Sequence, residues 1–173
     1  MIELRRPTVL DLKAHDRDGF DSGAPELDDW LRRYAGQNRR RDTSATWVIT
    51  DTADEVMAYV SISMTGIDRS AAPAALGRQS PDPVPALLLA RLAVDRRVAG
   101  LGVGTSLVAH VLTTAVELNI SAACRAVVVN ALDLTARTWW ERLGFAPFDP
   151  TDPDGLDLYL LTRDIEATLR AIH

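Results

Sequence analysis

The longest patterned stretch runs from Leu87 to Thr105. An unbroken apolar run ends in Leu92-Ala93-Val94 and reads as a central strand buried on both faces; Gly100, Gly102 and Gly104 then open directly onto a helical repeat. Along that helix Val103, Leu107, Val108, Val111, Leu112 and Ala115 lay an apolar stripe. Ala126 to Val129 follows as a second buried strand, expected to pair parallel to the first through a crossover. Upstream, Met1 to Arg6 alternates apolar and polar and reads as a strand stopped by Pro7, with Leu10, Leu12 and Ala14 starting a short helix. Leu27, Trp30, Leu31 and Tyr34 recur at i, i+3, i+4 and i+7 behind Pro25, which predicts an amphipathic helix. Thr46 to Thr50 and Glu55 to Met64 alternate and are rich in Val, Ile, Thr and Tyr, predicting an antiparallel hairpin turned at Asp51 to Asp54. Ala71 to Pro85, with four prolines, reads as an irregular loop. Asp133 caps a helix that runs to Leu143 and stops at Gly144; Phe145 to Phe148 and Leu156 to Thr162 are closing strands, and Asp164 caps a terminal helix. The pattern is that of an α/β chain forming one domain over residues 1–173.

Composition narrows the class. Hydrophobic residues make up 47% of the chain, yet no apolar run approaches the ~20 residues that span a bilayer. Met1-Ile2-Glu3-Leu4-Arg5-Arg6 lacks the apolar core of a signal peptide, so the expectation is a soluble cytoplasmic protein with no membrane partner. One cysteine, Cys124, excludes an internal disulfide, and His15, His110 and His173 make no ligand spacing, so no metal is expected. The net charge of −5 argues against indiscriminate nucleic-acid coating, but charge is segregated: Arg32, Arg33, Arg39, Arg40 and Arg41 fall within ten residues. Arginine is the better phosphate fork, which makes these five candidate RNA contacts. The plainer alternative is a solvated helix end, with Asp28 and Asp29 complementing the dipole at the other end.

A strand, a glycine turn and a helix form an anion cradle. The glycines let backbone N–H groups converge, and the helix presents its unpaired amides and positive dipole end. The dinucleotide fingerprint is absent, because position i+5 from Gly100 is Thr105, and a Walker A loop is absent because no lysine stands in the glycine loop. What fits is Arg97-x-x-Gly100-x-Gly102, which resembles the pyrophosphate loop of the GNAT N-acetyltransferases. Leu-Ala-Val-Asp precedes it, and Trp139-Trp140-Glu-Arg-Leu-Gly144-Phe145 stands where these enzymes carry a Phe-Tyr-Glu-x-x-Gly-Phe segment. The resemblance implies the GNAT fold, a mixed central sheet with splayed parallel strands flanked by helices, and acetyl-CoA as cofactor. It assigns cofactor binding to the main chain of Leu92, Ala93 and Val94 and to Arg97, Val98, Ala99, Gly100, Leu101, Gly102, Val103, Gly104 and Thr105, with Asp133 added at the start of the later helix.

Phe20-x-x-Gly23-x-x-x-Leu27-Asp28-x-Trp30-Leu31 further resembles the branch of that family formed by the acetyltransferase toxins of bacterial toxin–antitoxin pairs. This resemblance implies transfer of acetyl from acetyl-CoA to the α-amine of aminoacyl-tRNA, arrest of translation, a ribbon-helix-helix antitoxin as partner, and a homodimer. The alternatives are a GNAT enzyme acting on a protein N-terminus or small amine, and a non-catalytic acetyl-CoA-binding regulator. The last gains weight from Trp140, which stands at the position of the tyrosine that protonates the leaving thiolate in these enzymes. An indole has an N–H donor but no acidic proton near neutral pH. Tyr59 and Tyr159 are the candidate replacement acids.

Overall fold

In chain order the elements of the computed structural model, which describes residues 1–172, are β1 (Thr8–Val9), α1 (Pro25–Arg33), α2 (Ala35–Arg40), β2 (Ala45–Thr50), β3 (Val56–Ile67), α3 (Ala74–Gly77), β4 (Val84–Val94), α4 (Val103–Ser121), β5 (Ala126–Asn130), α5 (Leu134–Arg142), β6 (Ala146–Pro147), β7 (Asp157–Leu161) and α6 (Ile165–Ile172). The strands hydrogen-bond in the order β1-β2-β3-β4-β5-β7-β6. The sheet is mixed: β4 and β5 pair in parallel, whereas β1 with β2, β2 with β3, β5 with β7 and β6 with β7 are antiparallel. The parallel register runs from Ala86↔Ala126 to Leu89↔Val129 and ends there, while β4 continues to Val94. A strand that outruns its parallel neighbour keeps main-chain donors and acceptors available for something else.

The chain packs as two compact units. The first comprises Met1–Ser63 with Ala90–His110. Its core joins Phe20, Trp30, Leu31, Ala35, Val48, Val56, Tyr59 and Ala93, all buried. The second comprises Met64–Leu89 with Val111–His173. Leu76, Val84, Ala86, Ala126, Val128 and Leu161 form its buried cluster. Helix α4 is, at 19 residues, long and apolar enough to cross a membrane by length and composition, a length the sequence pattern did not reveal. Its Leu107, Val108, Val111, Leu112 and Ala115 are fully buried, which is the stripe of a core helix.

Three local expectations need correction. Met1 to Arg6 is no strand: only Leu4 makes an isolated bridge, to Asp51, and the paired residues lie past Pro7, at Thr8 and Val9 against Val48 and Trp47. No helix forms over Leu10 to Ala14, because the Asp11 carboxylate accepts the N–H groups of Lys13 and Ala14 and so offers the backbone a turn instead. The helix begun at Pro25 breaks at Tyr34, and α2 carries the chain on through Arg40.

Candidate functional site

The turn between β4 and α4 is built on Asp95. Its carboxylate, 1% exposed, accepts the backbone N–H of Arg97 at 2.9 Å, the Arg97 Nε–H at 2.9 Å and, through Oδ2, the Asp21 N–H at 3.0 Å. Burial alone would raise this carboxyl; the Arg97 guanidinium and the two backbone donors overcome it and hold the group below the usual carboxylate range. Arg97 also donates to Glu55 at 2.9 Å, and with two carboxylates on it the guanidinium is held firmly protonated. Residues 96–98 make a single 3₁₀ turn, with Val98 fully buried as its anchor. Beyond it Gly100 and Gly102 take φ of +76° and +79°, a left-handed backbone that side chains disfavour. A Cβ added at either would meet no atom within 4 Å. The space over both glycines is therefore open, and the first amides of α4 have no intrahelical acceptors. The residues fit a diphosphate.

A second loop is clipped to this turn. Arg96 N–H donates to the Asp21 carbonyl at 2.9 Å, and a Cβ on Gly23, at φ +88°, would sit 3.1 Å from the Arg96 guanidinium. Asp28, 5% exposed, accepts the Ser22 Oγ–H at 2.6 Å and the Ser22 N–H at 3.1 Å. Phe20 meets the Tyr59 ring edge-on with centroids 5.6 Å apart. The segment Phe20-x-x-Gly23-x-x-x-Leu27-Asp28 is thus a folding unit that fixes where the loop lies against the β4–α4 turn.

Several predicted site residues have other occupations. The Arg97 Nε–H and Nη2–H groups donate to Asp95 and Glu55, so that part of the side chain shapes the turn. Tyr59 is fully buried, and its hydroxyl donates to the Leu27 carbonyl at 2.6 Å; burial pushes its ionisation far up, so it is placed as a structural tyrosine. Arg32 donates to the Phe20 carbonyl at 2.9 Å and pairs with Asp29. Arg33, Arg39, Arg40 and Arg41 remain exposed, and among the described residues none of them is in an ion pair.

The second unit holds the remaining candidates. Asp133 caps α5, accepting the Ala136 N–H at 2.8 Å, so its carboxylate is occupied by the helix. Trp140 on α5 is 5% exposed, with Trp139 and Phe145 edge-on at centroid distances of 4.9 and 5.0 Å. Gly144 ends the helix at φ +100°. Tyr159 on β7 is half-buried against the edge of Phe148 at 5.7 Å. Sequence reasoning passed over Asp95 and Glu55; the signal for the first was an acid placed two residues before Arg97 on a strand end, where a 3₁₀ turn needs a cap.

These features belong to acyl-CoA acyltransferases, and comparison with known proteins agrees. The profile of the Acetyltransferase (GNAT) family matches residues 9–145. The chain belongs to that family. It is 36% identical over 156 residues to a tRNA-acetylating toxin of Mycobacterium tuberculosis (strain ATCC 25618 / H37Rv), covering 90% of this chain and 92% of the relative. Among solved structures it is similar to AtaTR bound with AcCoA, at a TM-score of 0.80 and 24% identity, covering 95% of this chain and 97% of that one. AtaT complexed with acetyl-methionyl-tRNAfMet gives a TM-score of 0.85 at 24% identity, covering 95% and 98%. At that identity the two structures establish the fold.

Proposed function

We propose that this chain is an acetyl-CoA-dependent N-acetyltransferase toxin that acetylates the α-amine of aminoacyl-tRNA and so blocks translation. The observation that carries the reading is the β4–α4 turn, with open space over two left-handed glycines, in a chain 36% identical to a tRNA-acetylating toxin. Acetyl-CoA supplies an activated thioester. Backbone N–H groups from Gly100 to Thr105 take its diphosphate, and the main chain of Leu92 to Val94, beyond the last parallel pair, aligns the pantetheine and acetyl group. The amine lone pair forms the C–N bond to the acetyl carbonyl carbon, the C–S bond breaks with its electrons going to sulfur, and the amine gives up a proton. Positioning alone is worth roughly 7–11 kcal/mol of barrier in well-oriented cases. A free α-amine titrates at about 7.7–8.0, so no strong base is demanded. A thiol with a pKa of about 8.5 leaves tolerably unprotonated, which is how catalysis proceeds with Trp140 at the family's tyrosine position.

The antitoxin partner of ribbon-helix-helix type, the homodimer and the cytoplasmic location belong to the same proposal, supported by the Phe20–Leu31 resemblance and the toxin relative. A second reading, a non-catalytic acetyl-CoA binder, is favoured by Trp140 alone. Incubation with labelled acetyl-CoA and, in parallel, charged tRNA, deacylated tRNA, peptides and small amines separates them. Label on charged tRNA only is the expected result. Binding of acetyl-CoA without label on any acceptor establishes the binder instead.

A further inference from the structure

Arg91 is the one charged residue on β4, immediately before the main chain proposed to align the acetyl group. Strand alternation puts it on the face of Ala93, which belongs to the core cluster of Trp30 and Tyr59. Its guanidinium lies over the Trp30 ring, 4.5 Å from the centroid. Trp30 in turn stacks on Tyr59, with centroids 5.9 Å apart and planes within 13°, and the Tyr59 hydroxyl is fixed to the Leu27 carbonyl at 2.6 Å. The Trp30 ring, backed by Tyr59, therefore holds the Arg91 guanidinium against an aromatic face. Among the described residues, Arg91 donates no hydrogen bond and enters no ion pair, so its N–H edges are unspent. It is half-buried, neither freely solvated nor neutralised.

A guanidinium held over an aromatic ring with its N–H groups unspent is suited to fork onto a phosphate. Its distance along the strand from Ala93 is about 7 Å, two residues of rise. On the reading of the preceding subsection the acceptor amine comes to that strand, and the phosphate nearest the amine is the phosphodiester of the nucleotide bearing the aminoacyl ester. We propose that Arg91 is a substrate-binding residue that takes this 3′-terminal phosphodiester of charged tRNA, with Trp30 as the platform that pre-orients it. The remote arginines at positions 39–41 would add affinity; Arg91 sets where the esterified end lies.

The inference rests on the aminoacyl-tRNA reading, and the test keeps the two apart. Steady-state acetylation of charged tRNA is measured across a salt series for the wild type, Arg91→Gln and Arg91→Lys, with acetyl-CoA affinity by calorimetry as a check of folding. The expected result for Arg91→Gln is a KM raised about tenfold or more and a log–log salt slope shallower by about one, the signature of one lost phosphate contact. Arg91→Lys keeps the charge and should retain most of the slope. If the wild type acetylates charged tRNA and Arg91→Gln shows the same slope and KM, or lowers kcat alone, the assignment is overturned and Arg91 is a packing group. A wild type inactive on charged tRNA overturns the preceding reading and this one with it.

Discussion

Two side chains decide what a residue-level account must explain. Tyr59 is aromatic on a strand near the β4–α4 turn, and sequence alone leaves it eligible as an acid. The Leu27 carbonyl that accepts its hydrogen bond is 32 residues away and becomes its neighbour only when α1 folds onto the sheet. Tyr59→Phe should cost about 1–2 kcal/mol in chemical denaturation, because a part-buried carbonyl loses its donor, and should leave acetyl transfer close to wild type. Loss of transfer with unchanged stability would return Tyr59 to the chemistry. Trp140 is the opposite case: the departure from the family's tyrosine is visible in the sequence, but its packing against Trp139 and Phe145 is not. Trp140→Tyr should raise turnover, by less than about 10⁴-fold, and Trp140→Phe should leave it low, since only a phenol restores a proton donor. The gain should shrink as pH rises and unprotonated thiolate becomes a better product. If both variants turn over alike, proton donation at this position is irrelevant and Tyr159 is the remaining phenol to test.

At the scale of elements, β4, its glycine turn and α4 are legible because everything they need is local: an apolar run, glycines where φ must be positive, and a helical stripe behind them. The first strand is not legible from alternation. Ile2 and Leu4 alternate as well as a strand requires, yet Leu4 makes only an isolated bridge to Asp51 and continuous pairing begins after Pro7, against Val48 and Trp47 of β2. The clamp around Asp95 was hidden for the same reason, since Asp21 and Glu55 come from other segments. Asp95 carries a testable pH signature. Its folded carboxyl is held below its ordinary value, so its contribution is in place above that value and is lost as pH falls through the lower, folded one. Asp95→Asn should therefore destabilise at neutral pH by roughly 1.5–3 kcal/mol and flatten the acid limb of the stability–pH curve. Equal acid limbs in the two proteins would show that the Asp95 clamp contributes nothing to stability.

For the whole molecule, the informative quantity is where the charge lies. A net charge of −5 suggests repulsion from nucleic acid, yet Arg33, Arg39, Arg40 and Arg41 stand exposed and uncommitted on one segment, as the sequence suggested, while Arg32 is spent on Phe20 and Asp29. Replacing Arg39, Arg40 and Arg41 together by alanine should raise KM for charged tRNA and flatten its salt dependence by up to about three in log–log slope. An unchanged KM and salt response would make them solvated surface.

On the proposed function the acetyl group goes to the α-amine of an amino acid esterified to tRNA, and one product analysis tests this. Charged tRNA acetylated with labelled acetyl-CoA is deacylated in mild alkali, and the released and retained fractions are examined by mass spectrometry. The label is expected to leave the tRNA as an N-acetyl amino acid. Label that stays on the RNA after deacylation, or that is absent although acetyl-CoA binds, contradicts the proposed function.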